Sequence, residues 1–196
     1  GIGGMEAARV LKLRGHNPII YEKSDKLGGI FIPASRASFK GKLRDLLSWY
    51  ELQMKELNIP IKFNTEVKDL SSIQADKYII ATGSKPIIPH IKGIEKGIEA
   101  CEYLLGKEIK DNVCVIGGGL TGCEIAYELY LSGKKPIIIE MKDDLIKQKG
   151  ICMANSQYLR DYFALHKVPV YLETTLIEIK DNEVICKDKD KQVLTL

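Results

Sequence analysis

One stretch of 22 residues occurs twice in this chain, and nothing else in the sequence restricts the fold as much. Residues 1–22 and residues 119–140 align at an offset of 118 with no gap. Eleven of the 22 positions are identical: Gly1/Gly119, Gly4/Gly122, Glu6/Glu124, Ala8/Ala126, Leu11/Leu129, Leu13/Leu131, Gly15/Gly133, Pro18/Pro136, Ile19/Ile137, Ile20/Ile138 and Glu22/Glu140. Ordinary composition would give about one or two matches by chance. A single structural unit has been used twice, and identifying it largely decides what the chain does.

The second copy carries the unit in full. Asn112 to Ile116 is a short apolar, β-branched run, which suits a buried parallel strand. Gly117, Gly119 and Gly122 follow at positions 1, 3 and 6 of a GxGxxG pattern. An amphipathic run then carries Leu120, Cys123, Ala126, Tyr127 and Leu129 to Ser132, where Gly133 stops it. Pro136 to Glu140 reads as the next strand, ending in an acid 23 residues after Gly117. Each part has a physical task. Gly117 permits the tight turn from strand to helix, Gly119 leaves room for a pyrophosphate, and Gly122 lets helix and strand approach. The helix N-terminus turns unpaired N–H groups and its positive dipole end toward phosphates. Glu140 is placed to accept hydrogen bonds from an adenosine ribose, and its charge favours a 2′-hydroxyl over a 2′-phosphate, hence NADH over NADPH.

The first copy starts at the second glycine of the same pattern. Gly1 and Gly4 match the second and third glycines, a helix is expected from about Gly4 to Arg14, and Glu22 takes the ribose position. The preceding strand and first glycine have no counterpart, so the chain reads as beginning inside a domain. The expected fold is α/β: two Rossmann-like dinucleotide-binding domains in tandem, the first truncated, each with antiparallel meander strands. The expected limits are 1–90 for a partial first domain, 91–111 for a linker and 112–196 for the second domain.

Composition limits the alternatives. The 196 residues are 45% hydrophobic and 28% charged, with a net charge of +3, too small and scattered to favour nucleic acid or a membrane surface. No apolar run approaches the roughly 20 residues of a membrane span, and a cytoplasmic location is expected. The five cysteines, Cys101, Cys114, Cys123, Cys152 and Cys186, include no CxxC pair and no metal-ligand spacing, so they read as thiols in a reducing compartment. His16, His90 and His166 have no carboxylate or nucleophile near them in sequence and read as surface residues.

Between the copies, Lys23 to Gly29 is a polar turn closing on two glycines. Lys40 to Leu57 has helical periodicity. Ile61–Asn64 and Asp76–Ala81 read as strands, the latter running into Thr82-Gly83, where small residues let backbone lie against a ligand. Pro86 and Pro89 then stiffen the exit. Past Glu140, a charged loop (141–150) precedes a helix over Met153–His166 and strands near 168–173, 175–180, 183–188 and 192–196.

Tandem dinucleotide folds, Thr82-Gly83 after an apolar strand and a Pro-rich crossover together resemble the two-dinucleotide-binding-domain flavoproteins. The wording at 4–10, 21–29, 81–86 and 115–124 narrows this: the chain resembles the C-terminal part of 2-enoate reductases and 2,4-dienoyl-CoA reductases in the old yellow enzyme family. The resemblance implies FAD on the first fold, at Gly1, Gly4, Glu22, Lys23, Gly29, Val67, Thr82 and Gly83. It implies NAD(H) on the second, at Gly117, Gly119, Thr121, Gly122, Glu140 and Met141. Glu124 would approach the nicotinamide end or stand as an exposed helix glutamate. The resemblance further implies an upstream barrel domain of the same chain carrying FMN and an iron–sulfur cluster; homo-oligomerisation is compatible with it.

The implied activity is that of an FAD-dependent NADH oxidoreductase module, with hydride passing from NADH to FAD and electrons moving on to a reductase domain for activated C=C bonds. No side chain is expected to act as a catalytic acid or base. Two rivals stand beside it. One is a non-catalytic domain holding ADP or NAD; the other is a thioredoxin reductase-like enzyme, which needs a cysteine pair this chain does not display.

Overall fold

The computed structural model describes residues 1–196, which divide into two units, Gly1–Pro86 and Ile87–Leu196. Both are α/β.

In the second unit, β3 (Asn112–Ile116), β4 (Lys135–Ile139) and β5 (Val170–Tyr171) form a parallel sheet with β4 in the centre. Helix α5 (Leu120–Leu131) joins β3 to β4, and α6 (Met153–Leu165) joins β4 to β5. Three-residue spacing puts Cys123, Ala126 and Leu129 on one face of α5, and all three are fully buried. They meet Val115, Ile138, Leu159, Phe163 and Val168 in the main core. Pro136 lies within the central strand, where a missing N–H would ordinarily break a ladder. Here it is in register with Val113 of β3 but sits ahead of the stretch paired with β5, which first meets β4 at Ile138, whose N–H donates to the Pro169 carbonyl at 2.9 Å. The alternating donors on the other side run from Lys135 to the Asp111 carbonyl at 2.8 Å.

A second sheet in this unit is the antiparallel meander β6 (Thr175–Ile179), β7 (Val184–Lys187) and β8 (Val193–Thr195). Its inner side chains Leu176, Val184 and Cys186 pack with Ile139. Residues 91–111, expected as a connection, carry a 3-10 turn at Ile94–Lys96 and the helix α4 (Ala100–Leu104). Tyr103 and Ile109 pack on the main core, and Lys92 pairs with Glu178 at 2.9 Å.

The first unit repeats part of this plan. Helix α1 (Ile2–Leu13) covers the same twelve positions as α5 after the 118-residue offset. Strand β1 (Ile20–Tyr21) pairs in parallel with β2 (Ile61–Lys62), just as β4 pairs with β5. A one-turn helix α2 (Phe31–Ala34) and the long α3 (Gly41–Glu56) fill the crossover. Met5, Ala8, Leu27, Met54 and Ile59 make its core.

Two expectations fail in this unit. The antiparallel meander is absent: β1–β2 is its whole sheet. The strand expected over Asp76–Ala81 is extended chain without a ladder, and Ile79 and Ile80 are 60% and 73% exposed. A β-branched run supplies propensity, but a strand exists only where a neighbour takes its N–H and C=O groups, and no strand within these residues lies beside it.

Candidate nucleotide site

The second unit gathers its expected residues around the start of α5. Gly117 ends β3 at φ +102°, a conformation that L side chains rarely adopt, and its N–H donates to the Ile139 carbonyl at 2.8 Å. Gly122 lies one turn into α5, where a Cβ would stand 1.8 Å from the Gly117 carbonyl oxygen. The close helix–strand approach assigned to that glycine is therefore built into the backbone. Gly119 is the N-cap of α5 and provides no side-chain cap, so the first-turn N–H groups are left for an incoming acceptor. Thr121 is exposed in that turn and Glu124 is half-buried one turn on.

Glu140 ends the central strand and is 8% exposed. One carboxylate oxygen accepts the Gly118 N–H at 2.6 Å and the other accepts the Lys142 N–H at 2.8 Å. These bonds aim the carboxylate along the rim of the glycine turn and leave lone pairs for a ligand hydroxyl. Met141, 66% exposed, follows it and helps line a cleft of about 640 Å³ together with Lys142, Lys147, Glu173, Asp188 and Lys189. Lysines and carboxylates alternate around the rim of that cleft: Lys147 pairs with Asp143, and Lys189 with Glu173 at 3.2 Å.

The first unit holds the same hydrogen-bond frame. The Glu22 N–H donates to the Lys62 carbonyl at 3.0 Å, as the Glu140 N–H does to Tyr171 at 2.9 Å. Each acid's carbonyl accepts the backbone N–H of a threonine three residues past the end of the partner strand, Thr65 at 2.9 Å and Thr174 at 2.9 Å. Glu22 accepts from the Ser24 N–H at 3.0 Å and the Ser24 hydroxyl at 2.9 Å. Burial works against its charge, yet the Ser24 bonds favour the ionised form, and the carboxyl is held below the ordinary glutamate range.

Gly1 caps α1 without a side chain, and a Cβ on Gly29 (φ +54°) would stand 3.3 Å from the Gly1 Cα. A Cβ on Gly4 would meet the Ala81 methyl at 3.5 Å, which brings the segment leading to Thr82 and Gly83 beside the start of α1. Thr82 and Gly83 are exposed, with Gly83 at φ +71°. Lys23 is exposed and Val67 half-buried in the turns that follow β1 and β2.

Sequence reasoning missed Gly118 and the packed part of the loop 141–150. A Cβ on Gly118 would meet Leu145 Cδ2 at 2.5 Å and Glu140 Cβ at 2.9 Å. Leu145 and Ile146 are buried, and the Ile146 N–H donates to the Gly118 carbonyl at 2.7 Å. Arg160 pins this loop from α6, donating to the Asp144 carboxylate at 3.0 Å and to the Leu145 carbonyl. The signal was present: at the same offset of 118, Asp25 matches Asp143 and Leu27 matches Leu145, so the duplication runs past residue 22.

All five cysteines are free thiols, and none is joined to another. Burial pushes Cys114 and Cys123 up to about 12, with the Cys186 thiol adding to the first and the Glu140 carboxylate to the second, which leaves them protonated and unreactive at neutral pH.

A family model described as pyridine nucleotide-disulphide oxidoreductase matches residues 1–196. The chain belongs to that family. Cinnamate reductase of Clostridium sporogenes is 38% identical over 174 residues, 87% of this chain and 26% of that protein. NADH oxidase of Thermoanaerobacter brockii is 36% identical over 154 residues, 74% of this chain and 24% of that protein. Among solved structures, a 2-naphthoyl-CoA reductase complex superposes with a TM-score of 0.85 at 28% identity, covering 97% of this chain and 29% of that one. The 2-enoate reductase resemblance read from the motifs is thus borne out. The chain spans about a quarter of the length of these curated relatives. No helix is long and apolar enough to cross a membrane.

Proposed function

We propose that this chain is the NADH-to-FAD module of an enoate-reductase-type flavoprotein. In this reading residues 1–90 contribute part of an FAD domain, 91–111 join it to the next, and 112–196 hold NAD(H). The observation that carries the reading is the uncapped start of α5. Gly117, Gly119 and Gly122 keep side chains out of the turn, and Glu140 is fixed beside it by two backbone N–H groups. A pyrophosphate fits there because the donors are unpaired and positive, and a Cβ at Gly122 or Gly118 would not fit.

The residues divide the work by position. Gly119, Thr121 and Gly122 would take the NADH pyrophosphate, Glu140 and Met141 its adenosine ribose, and Glu124 would face the nicotinamide end. Gly1, Gly4 and Gly29 would take the FAD pyrophosphate and Glu22 and Lys23 its ribose, with Val67, Thr82 and Gly83 along the rest of it. When bound, the two cofactors supply hydride chemistry between nicotinamide and flavin rings. The protein's part is to bind, to align and to exclude water. The Glu140 carboxylate, partly offset by Lys142, favours NADH over NADPH.

In the full-length protein we place an FMN and an iron–sulfur cluster on another domain of the same polypeptide, which would pass electrons to an activated C=C bond. Anaerobic addition of NADH to that protein should bleach its flavin. A flavin spectrum that stays unchanged overturns the proposal.

A further inference from the structure

The internal duplication supplies a residue that the glycine pattern does not. Position 28 in the first copy corresponds to position 146 in the second, and both have positive φ: +112° at Gly28 and +50° at Ile146. The first copy meets this demand with glycine. The second holds a β-branched residue in a conformation such residues avoid, which persists only where the surroundings enforce it. They do enforce it here: Ile146 is 3% exposed, its N–H is bound to the Gly118 carbonyl at 2.7 Å, and Arg160 ties Asp144 and the Leu145 carbonyl to α6. The loop is therefore a fixed wall against the glycine turn.

What the wall presents is Gln148. Its amide nitrogen lies 3.3 Å, and its amide oxygen 4.0 Å, from the point where a Gly119 Cβ would be. Its own N–H is bound to the Ile146 carbonyl at 2.8 Å, which sets where the side chain starts. In the first copy the corresponding turn lies against Gly1, the counterpart of Gly119, through Gly29. Both copies thus bring the same turn onto the same glycine. Only the second places a side-chain donor there. The neighbouring Lys147 is engaged with Asp143 at the rim of the cleft that Met141 lines.

We propose that Gln148 donates to the pyrophosphate of the dinucleotide held by the second unit, and that Arg160 is the positioning residue for it. This rests on the reading of residues 117–122 as the dinucleotide turn. A neutral amide donating to an anionic oxygen is a bond whose loss weakens binding by roughly tenfold.

The test uses full-length protein saturated with FAD and calorimetric titration with ADP-ribose, which has the pyrophosphate but no nicotinamide to react. Gln148→Ala should weaken ADP-ribose about tenfold and leave adenosine binding unchanged. Gln148→Glu should weaken it further, and Gln148→Lys should match or exceed the wild type, because only a group facing the phosphates follows that order of charge. Equal ADP-ribose affinity in wild type and Gln148→Ala overturns the proposal. So does an equal loss for adenosine, which would mean that the substitution had only disturbed the loop. If wild-type protein binds no ADP-ribose at all, the dinucleotide reading of the turn falls, and this inference with it.

Discussion

Replacing Gly122 by alanine adds one methyl group at the point where α5 comes nearest to the end of β3. That carbon would stand 1.8 Å from the Gly117 carbonyl oxygen and 3.5 Å from Val115 Cγ1. An ordinary carbon–oxygen contact needs roughly 3.2 Å or more, so helix and turn must separate by more than about 1 Å. The obstructing atom is backbone, which has no rotamer to retreat into, and the carbonyl belongs to a residue already fixed at φ +102°. Overpacking of this kind costs about 1–3 kcal/mol. For a folding unit of about this chain's size that corresponds to a fall of roughly 2–12 °C in the Tm of the transition that unfolds it. The same displacement moves the N–H groups that would face the pyrophosphate, and losing one hydrogen bond to a charged group costs about 1.5–3 kcal/mol, roughly 10- to 150-fold in affinity. Thermal unfolding and ADP-ribose titration on full-length protein measure the two effects. Gly3→Ala is the control, since a Cβ there meets nothing within 4 Å and the residue lies in the first turn of α1. It should be neutral or stabilising by up to about 0.5–1 kcal/mol. Wild-type Tm and affinity in Gly122→Ala would refute the claim that this contact sets the geometry of the turn.

Further outcomes follow from the same geometry. Glu140→Gln keeps the shape but leaves one of the Gly118 and Lys142 N–H groups facing an NH₂; KM for NADH should rise about tenfold and the preference over NADPH should shrink, as steady-state kinetics with both cofactors would register. Arg160→Met releases Asp144 and the Leu145 carbonyl, so residues 141–150 should exchange amide hydrogen faster while β3 and β4 keep their protection; unchanged exchange in the loop would contradict its pinning. Glu22 has a native pKa below its unfolded value of about 4.3, so its contribution to stability is present above that pH and drains away as pH falls through the lowered native value. The stability gap between wild type and Glu22→Gln should therefore shrink on acidification in denaturant titrations, and a gap that grows would reverse the sign. In native protein, thiol titration should label exposed Cys152 first and reach Cys123 and Cys186, both fully buried, only on unfolding.

The duplication made much of this legible before any coordinates. Glycine spacing and apolar periodicity located α5 within a residue, whereas α1, expected from about Gly4 to Arg14, begins two residues earlier at Ile2 and ends at Leu13. The meander of the second unit was readable from alternation broken by Asp181-Asn182. What escaped was set by neighbours rather than by local composition. Ile79 and Ile80 have strand-forming side chains but no ladder partner, so they remain exposed. Leu145 and Ile146 are hidden in a stretch dominated by Asp143, Asp144, Lys147 and Lys149, and a charged composition reads as solvent-facing. Their burial comes from Arg160, sixteen residues after Asp144, and from the glycine turn, relations that a window of local periodicity does not sample. Gly118 lies between two pattern glycines and has no place in the GxGxxG pattern, yet its N–H and that of Lys142 orient Glu140.

The most direct measurement is an experimental structure of the full-length protein with FAD and NAD⁺ bound. The account predicts pyrophosphate oxygens against the N–H groups at the start of α5 and the adenosine ribose on Glu140. A dinucleotide seated away from residues 117–122, or side chains filling that turn in the complex, would contradict it.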